Sequence, residues 1–127
     1  MPKVTYSPSR GLVSTAGTGF QVTGVPLVEN AESLTVAVSA TATLTSYGTS
    51  TITATGNTGT ITVPDGTSVG QQKLIVTVES GGHAALSVLN HETSAPEAFT
   101  SAASGDNLLL VWLGSVWATV ANNGYTT

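Results

Sequence analysis

Few side chains in this chain of 127 residues could do chemistry. There is no cysteine, which removes disulfides, thiolate metal sites and a cysteine nucleophile. His83 and His91 are the two imidazoles, and Glu92 beside His91 is the carboxylate placed to complete a metal site. A predicted strand separates the two histidines, so they do not share a face at ligand spacing, and both read as solvated turn residues. The acids are Glu29, Glu32, Asp65, Glu79, Glu92, Glu97 and Asp106. None of them stands next to an aromatic cleft, as a glycosidase pair would. Nothing matches a nucleophile elbow or a glycine-rich phosphate loop. Catalysis, a cofactor and a bound metal are therefore not expected.

The cations are Lys3, Arg10 and Lys73, and the net charge is −4. Three scattered positive charges make no basic footprint, so nucleic acid is not an expected partner. Low charge accompanies disorder when hydrophobicity is also low, but 40% of the residues are hydrophobic and the mean hydropathy is +0.24. The chain should fold. Its start, MPKVTYSPSRG, lacks the apolar run of a secretory signal, and no stretch has the length of a membrane span. A product made soluble in the cytoplasm, with no membrane partner, is expected.

The elements that must carry these groups read as strands. The length suits one domain. Residues 1–19 carry prolines and glycines without periodicity and read as an extended arm, followed by a single β domain over 20–127. From Ser33 the period is two: Leu34, Val36, Val38, Ala40, Ala42 and Leu44 point inward, then Ile52 and Ala54, then Ile61 and Val63. Leu74, Val76 and Val78 are expected inward opposite Lys73, Ile75, Thr77 and Glu79, with residues 84–89 as the hairpin partner of that strand. The polar connection over 90–105 holds one short strand around Phe99. No helix is predicted.

The many threonines, Thr51, Thr53 and Thr55 among them, suit the wet face of a sheet because β-branched side chains favour extended backbone. An ice-binding surface would need a coil repeat of fixed length stacking such threonines in ranks, and the sequence shows none.

The strongest local signal is DNLLLVWLGSVWATVANNG, Asp106 to Gly124. A two-residue turn at Gly114-Ser115, with glycine first, pairs Leu113 with Val116 and Trp112 with Trp117. One face then carries Leu109, Val111, Leu113, Val116, Ala118 and Val120, the other Leu108, Leu110, Trp112, Trp117 and Thr119. A hairpin apolar on both faces is either central in a stack or covered by another subunit. Leu109, Val111, Leu113, Val116 and Val120 are accordingly the candidate oligomer interface. Trp112 and Trp117 read as a cross-strand aromatic pair, with a sugar-stacking platform as the alternative.

The succession ITVPDGTSVGQQKLIVTV, GGHAALSV and GDNLLLVWLGSVWATVANNG, spanning Ile61 to Gly124, resembles the small β domains of tailed-bacteriophage virion proteins. Val116 departs from the polar residue such domains tend to place before the tryptophan, which makes the hairpin tip less soluble. The resemblance implies a virion component without enzymatic activity: a capsid decoration (cement) protein, made in the host cytoplasm and carried on the outside of the head. Its expected partners are two further copies of itself, in a homotrimer, and the major capsid protein. A head or tail fibre domain that binds a receptor glycan, through Trp112 and Trp117, is the alternative. The expected fold is a jelly-roll-like antiparallel β-sandwich of about eight strands, with the arm touching the shell through Lys3, Tyr6 and Arg10. A stiff core, a self-association surface and avidity from linked weak contacts would serve that role.

Overall fold

The structure, a computed structural model, describes Val4–Ser7, Gly11–Ser14 and residues 31–127. Lys3 and Arg10, and much of the proposed arm, lie outside the described residues; Tyr6 is described in its backbone alone. β1 (Val4–Ser7) and β2 (Gly11–Ser14) pair antiparallel as a two-stranded sheet.

Alternating apolar and β-branched residues give nine further strands. They are β3 (Ala31–Val36), β4 (Ala42–Thr43), β5 (Gly48–Ala54), β6 (Thr60–Val63), β7 (Gln72–Glu79), β8 (Ala85–Val88), β9 (Glu97–Thr100), β10 (Asn107–Trp112) and β11 (Trp117–Asn123). No helix occurs among the described residues. The strands form two mixed sheets, ordered β11-β10-β7-β5-β3 and β4-β6-β8-β9.

From β3 to β8 the chain passes back and forth between the sheets, so three successive coils each supply one strand to both. Within each sheet these coil strands run parallel. Ala31 lies opposite Thr49, and Thr49 opposite Leu74, so the second coil is longer than the first by the loop that begins at Pro64. Coils therefore exist, but their unequal length hides them from a search for a fixed period. β9 then returns antiparallel to β8, and the β10–β11 hairpin completes the larger sheet beside β7.

The two sheets share one core that includes Val36, Ile52, Ile61, Ile75, Val88, Phe99, Leu108, Leu110 and Trp117. Ile52, Ala54, Ile61 and Val63 point inward as the alternation predicts, a short strand surrounds Phe99, and Trp112 pairs with Trp117 as the Gly114-Ser115 turn predicts. Gly114, at φ 107°, takes the left-handed first position of the turn.

Four expectations are corrected. The sheets are mixed rather than antiparallel, with nine strands. The strand begun near Ser33 stops at Val36: Ser39 adopts φ 58°, Val38 is 67% exposed, and the chain turns the corner into the other sheet. In β7 the phase is reversed, with Lys73, Ile75 and Thr77 buried, Leu74 and Val76 half-buried and Val78 exposed. Both faces of QKLIVTVE offer apolar side chains, so polar partners settle the phase: Glu32 receives Lys73, and the Tyr125 hydroxyl meets Thr77. Finally, β8 is not the hairpin partner of β7. It crosses to the smaller sheet, between β6 and β9, because it completes a coil.

Two strand edges are covered by local pairings. Trp117 N donates to Asn90 O at 2.7 Å and Glu92 N to Trp117 O at 2.9 Å, which lays residues 90–92 along β11. Thr100 and Thr126 exchange backbone bonds of 2.8 and 2.9 Å along β9. Covering an edge removes a template for unwanted pairing.

Candidate assembly surface

In a strand, residues that flank inward positions point outward. The outer face of the five-stranded sheet is therefore built from Leu109 and Val111 of β10, Leu74, Val76 and Val78 of β7, Thr49, Thr51 and Thr53 of β5, Ser33 and Thr35 of β3, and Ala118 of β11. They form rows across the strands. Leu109 stands against Leu74 and Leu74 against Thr49; Val76 stands against Thr51 and Thr51 against Ser33; Val78 stands against Thr53 and Thr53 against Thr35. None of these residues is ionisable. The apolar side chains occupy β7, β10 and β11, and the hydroxyls occupy β5 and β3.

Of the residues singled out in the sequence, Leu109 and Val111 lie in this face. Leu113 (53% exposed) and Val116 sit at the hairpin tip. Val120 is 61% exposed at a bulge, where Leu110 pairs with Thr119 and Leu109 with Ala121, so Val120 has no cross-strand partner. Sequence reasoning missed Leu74, Val76 and Val78 because it assigned them to the core. The outer face of the smaller sheet differs, with Thr43, Thr62, Ser87 and Ala98 in one row and Thr60, Ala85 and Thr100 in the next.

The tryptophans are not a sugar platform. Trp112 is 5% and Trp117 0% exposed, and their rings meet edge to face at 5.2 Å. Trp117 Nε1 donates to Pro64 O at 2.9 Å, and Gly66 lies directly against the Trp112 ring, where a side chain would collide. No broad ring face is left for a ligand.

The polar groups are held in structural pairings. Lys73 is fully buried, and its Nζ donates to Glu32 Oε1 at 3.1 Å, Thr45 Oγ1 at 3.0 Å and Tyr47 O at 3.2 Å. Glu32 Oε1 also accepts from Thr45 N at 2.8 Å and from the Ser50 hydroxyl. Burial raises the Glu32 carboxyl, but Ser50, Thr45 and Lys73 together outweigh it and hold the group below the usual carboxylate range. Burial pulls Lys73 below the ordinary lysine value, against the opposing pull of Glu32.

His91 is buried rather than solvated. Its Nε2 lies 2.8 Å from Thr119 Oγ1, its Nδ1 2.8 Å from Thr93 Oγ1, and its ring stands edge-on to Phe99. Thr93 Oγ1 donates onward to Glu97 Oε2 at 2.6 Å. The Ser94 and Thr93 hydroxyls hold Glu97 below its ordinary value. Glu92 Oε1 accepts from Thr119 N at 3.2 Å. At the far end of β7, Glu79 Oε1 receives both His83 Nδ1 and Ser101 Oγ at 2.8 Å. Serine and histidine thus meet the same carboxylate and not each other, which is not the order of a nucleophile and its base. Among the described residues no three His, Asp or Glu side chains gather as a metal site.

No family model and no curated protein matches the chain. The uncharged outer face of the larger sheet is the feature that its structural pairings do not use up.

Proposed function

We propose that this protein is a structural component of a tailed-phage particle: a decoration protein that binds the outside of the head as a homotrimer and stabilises the shell. The observation that carries this is the outer face of the five-stranded sheet, where Leu74, Val76, Leu109 and Val111 form a continuous uncharged surface on a stiff framework. These four side chains are half-buried within the isolated chain, and an outward apolar face of this kind supports association. The resemblance over Ile61 to Gly124 supplies the kind of particle. Its two sheets act as a β-sandwich wound from coils, and the residues around Lys3, Tyr6 and Arg10 are the proposed contact with the major capsid protein. Three linked copies would hold the shell by avidity where single contacts are weak.

The test is co-sedimentation of purified protein with empty phage head shells. Saturable binding that raises the temperature at which the shells rupture is the expected result; no binding across a panel of tailed-phage shells would end the proposal. A fibre domain is the second reading, favoured by the parallel coils of β3 to β8, which stack along one axis as shaft segments do.

A further inference from the structure

We infer that Asn123 is a site of spontaneous covalent modification: it loses its side-chain amide to attack by the Gly124 backbone nitrogen, and the fold selects it over the other described asparagines. The inference stands independently of the proposed function.

The turn after β11 requires a glycine at 124. Its φ is 92°, in the left-handed region, and a Cβ there would collide with the Asp106 carboxylate. Asp106 is itself held in place, since its Oδ2 accepts from Ala102 N at 2.6 Å and Ala103 N at 2.8 Å. A glycine leaves the nitrogen after Asn123 with no side chain to hinder its approach to the asparagine Cγ. The residue that the turn demands is thus the one that makes its neighbour reactive.

Hydrogen bonding makes the same selection. Asn122 Oδ1 accepts from Tyr125 N at 3.1 Å, and its Nδ2 donates to Tyr125 O at 3.0 Å. Asn57 Oδ1 accepts from His83 N at 3.1 Å, Asn90 Nδ2 donates to both oxygens of Asp65, and Asn107 Nδ2 donates to Gly105 O at 3.1 Å. Among the described residues Asn123 is the one asparagine whose side chain makes no hydrogen bond, and it is exposed at the end of β11. An unbonded amide can swing toward the following nitrogen, whereas a bonded one must first give up its partners. Asn57, Asn90, Asn107 and Asn122 are also followed by Thr58, His91, Leu108 and Asn123, whose side chains stand beside the attacking nitrogen.

The step consumes only water. Gly124 N gives up its proton to solvent and bonds to Cγ of Asn123, and the side-chain nitrogen leaves as ammonia. Water then opens the cyclic imide at either carbonyl, giving aspartate or isoaspartate and adding a negative charge. Isoaspartate also lengthens the main chain by one carbon just before Tyr125, which meets Thr77, and Thr126, which exchanges backbone bonds of 2.8 and 2.9 Å with Thr100. These contacts tie the end of β11 in the larger sheet to β9 in the smaller one, so the change loosens a strap between the sheets.

The experiment is incubation of the folded protein in mildly alkaline buffer, followed by peptide mass spectrometry that locates each exchange of amide for acid and separates aspartate from isoaspartate. Asn123→Gln is the control: its longer side chain closes the ring poorly, and the wild-type side chain makes no bond to lose. Asn123 should convert first, with isoaspartate among the products, and the four bonded asparagines should lag by about tenfold. The variant should stay unmodified at 123, and the isoaspartate form should exchange its Thr100 and Thr126 amides faster than the parent. Conversion of a bonded asparagine ahead of Asn123 would overturn the inference. So would a folded protein that stays unmodified while the urea-unfolded chain converts, since the strand end would then hold Asn123 too rigidly for the ring to close. Unchanged exchange at Thr100 and Thr126 in the isoaspartate form would overturn the loosening of the strap.

Discussion

Lys73 Nζ lies 3.1 Å from Glu32 Oε1 across the intervening strand β5, so one ion pair ties β7 to β3 at the edge of the larger sheet. The residue opposite Lys73 on β5 is Gly48, which has no side chain to obstruct the lysine stem. Every Nζ proton has an acceptor, in Glu32, Thr45 and the Tyr47 carbonyl.

The two partners should respond differently to removal. Glu32→Ala leaves a fully buried ammonium without its counter-charge, and the expected loss is about 3 kcal/mol, the lower end for a broken buried pair because Glu32 keeps some contact with water. Lys73→Met removes the buried charge and leaves Glu32 its Thr45 and Ser50 donors, so a change within about 1 kcal/mol is expected. Urea unfolding of both variants measures this; equal losses would show that the pair is not set by lysine burial.

This pair also shows what the sequence could reveal. Ile52, Ala54, Ile61 and Val63 alternate with threonines, so period alone placed them. QKLIVTVE offers apolar side chains on both faces, and its phase depends on Glu32 and Tyr125, each more than 40 residues away. Coil winding was illegible for a related reason. Parallel partners lie a whole coil apart, and the coils differ in length. The Trp112–Trp117 pairing was legible because the Gly114 turn fixes it locally. The sequence left a sugar platform open as the alternative to that pair, because packing against Gly66 and Pro64 is a tertiary event that spacing does not encode.

Tyr125 should make the protein sensitive to alkali. Burial raises its hydroxyl to about 12, helped by Asp106 and Glu79 and opposed by the bond to Thr77. The folded value lies above the unfolded value of 10.0, so the unfolded chain ionises first. Stability from this group is complete below pH 10 and is lost as pH rises to about 12, by about 2 to 3 kcal/mol. Lys73 acts in the opposite sense, since its folded value is lowered, but its contribution is complete above 10.5. Urea midpoints from pH 8 to 12 should therefore fall more steeply in the wild type than in Tyr125→Phe. Parallel curves would assign the alkaline loss elsewhere.

Gly66 lies against the Trp112 ring so closely that a Cβ needs the ring to move. Gly66→Ala should cost about 1 to 3 kcal/mol by overpacking. The displaced indole also loses its edge-to-face contact with Trp117, so the emission maximum should shift to longer wavelength. Unchanged emission with unchanged stability would mean that the loop at Gly66 yields instead.

His91 joins three pieces of chain. Its ring bonds Thr119 of β11 and Thr93 of its own loop, and stands edge-on to Phe99 of β9, while its own backbone lies along Trp117. His91→Ala removes the side-chain part of this junction but leaves the backbone bonds between 90–92 and β11 without their support. The expected cost is about 2 kcal/mol, from a lost buried ring and two lost hydrogen bonds. The loss should be local first, because an edge segment opens below the free energy of global unfolding. Hydrogen exchange distinguishes this from a uniform effect: the amides of Glu92 and Trp117, which bond across the junction, should exchange faster by at least tenfold while those of Ile52 and Ala54 in β5 follow global stability. If all four accelerate equally, residues 90–92 belong to the cooperative core and the edge is held by the sheet rather than by the imidazole.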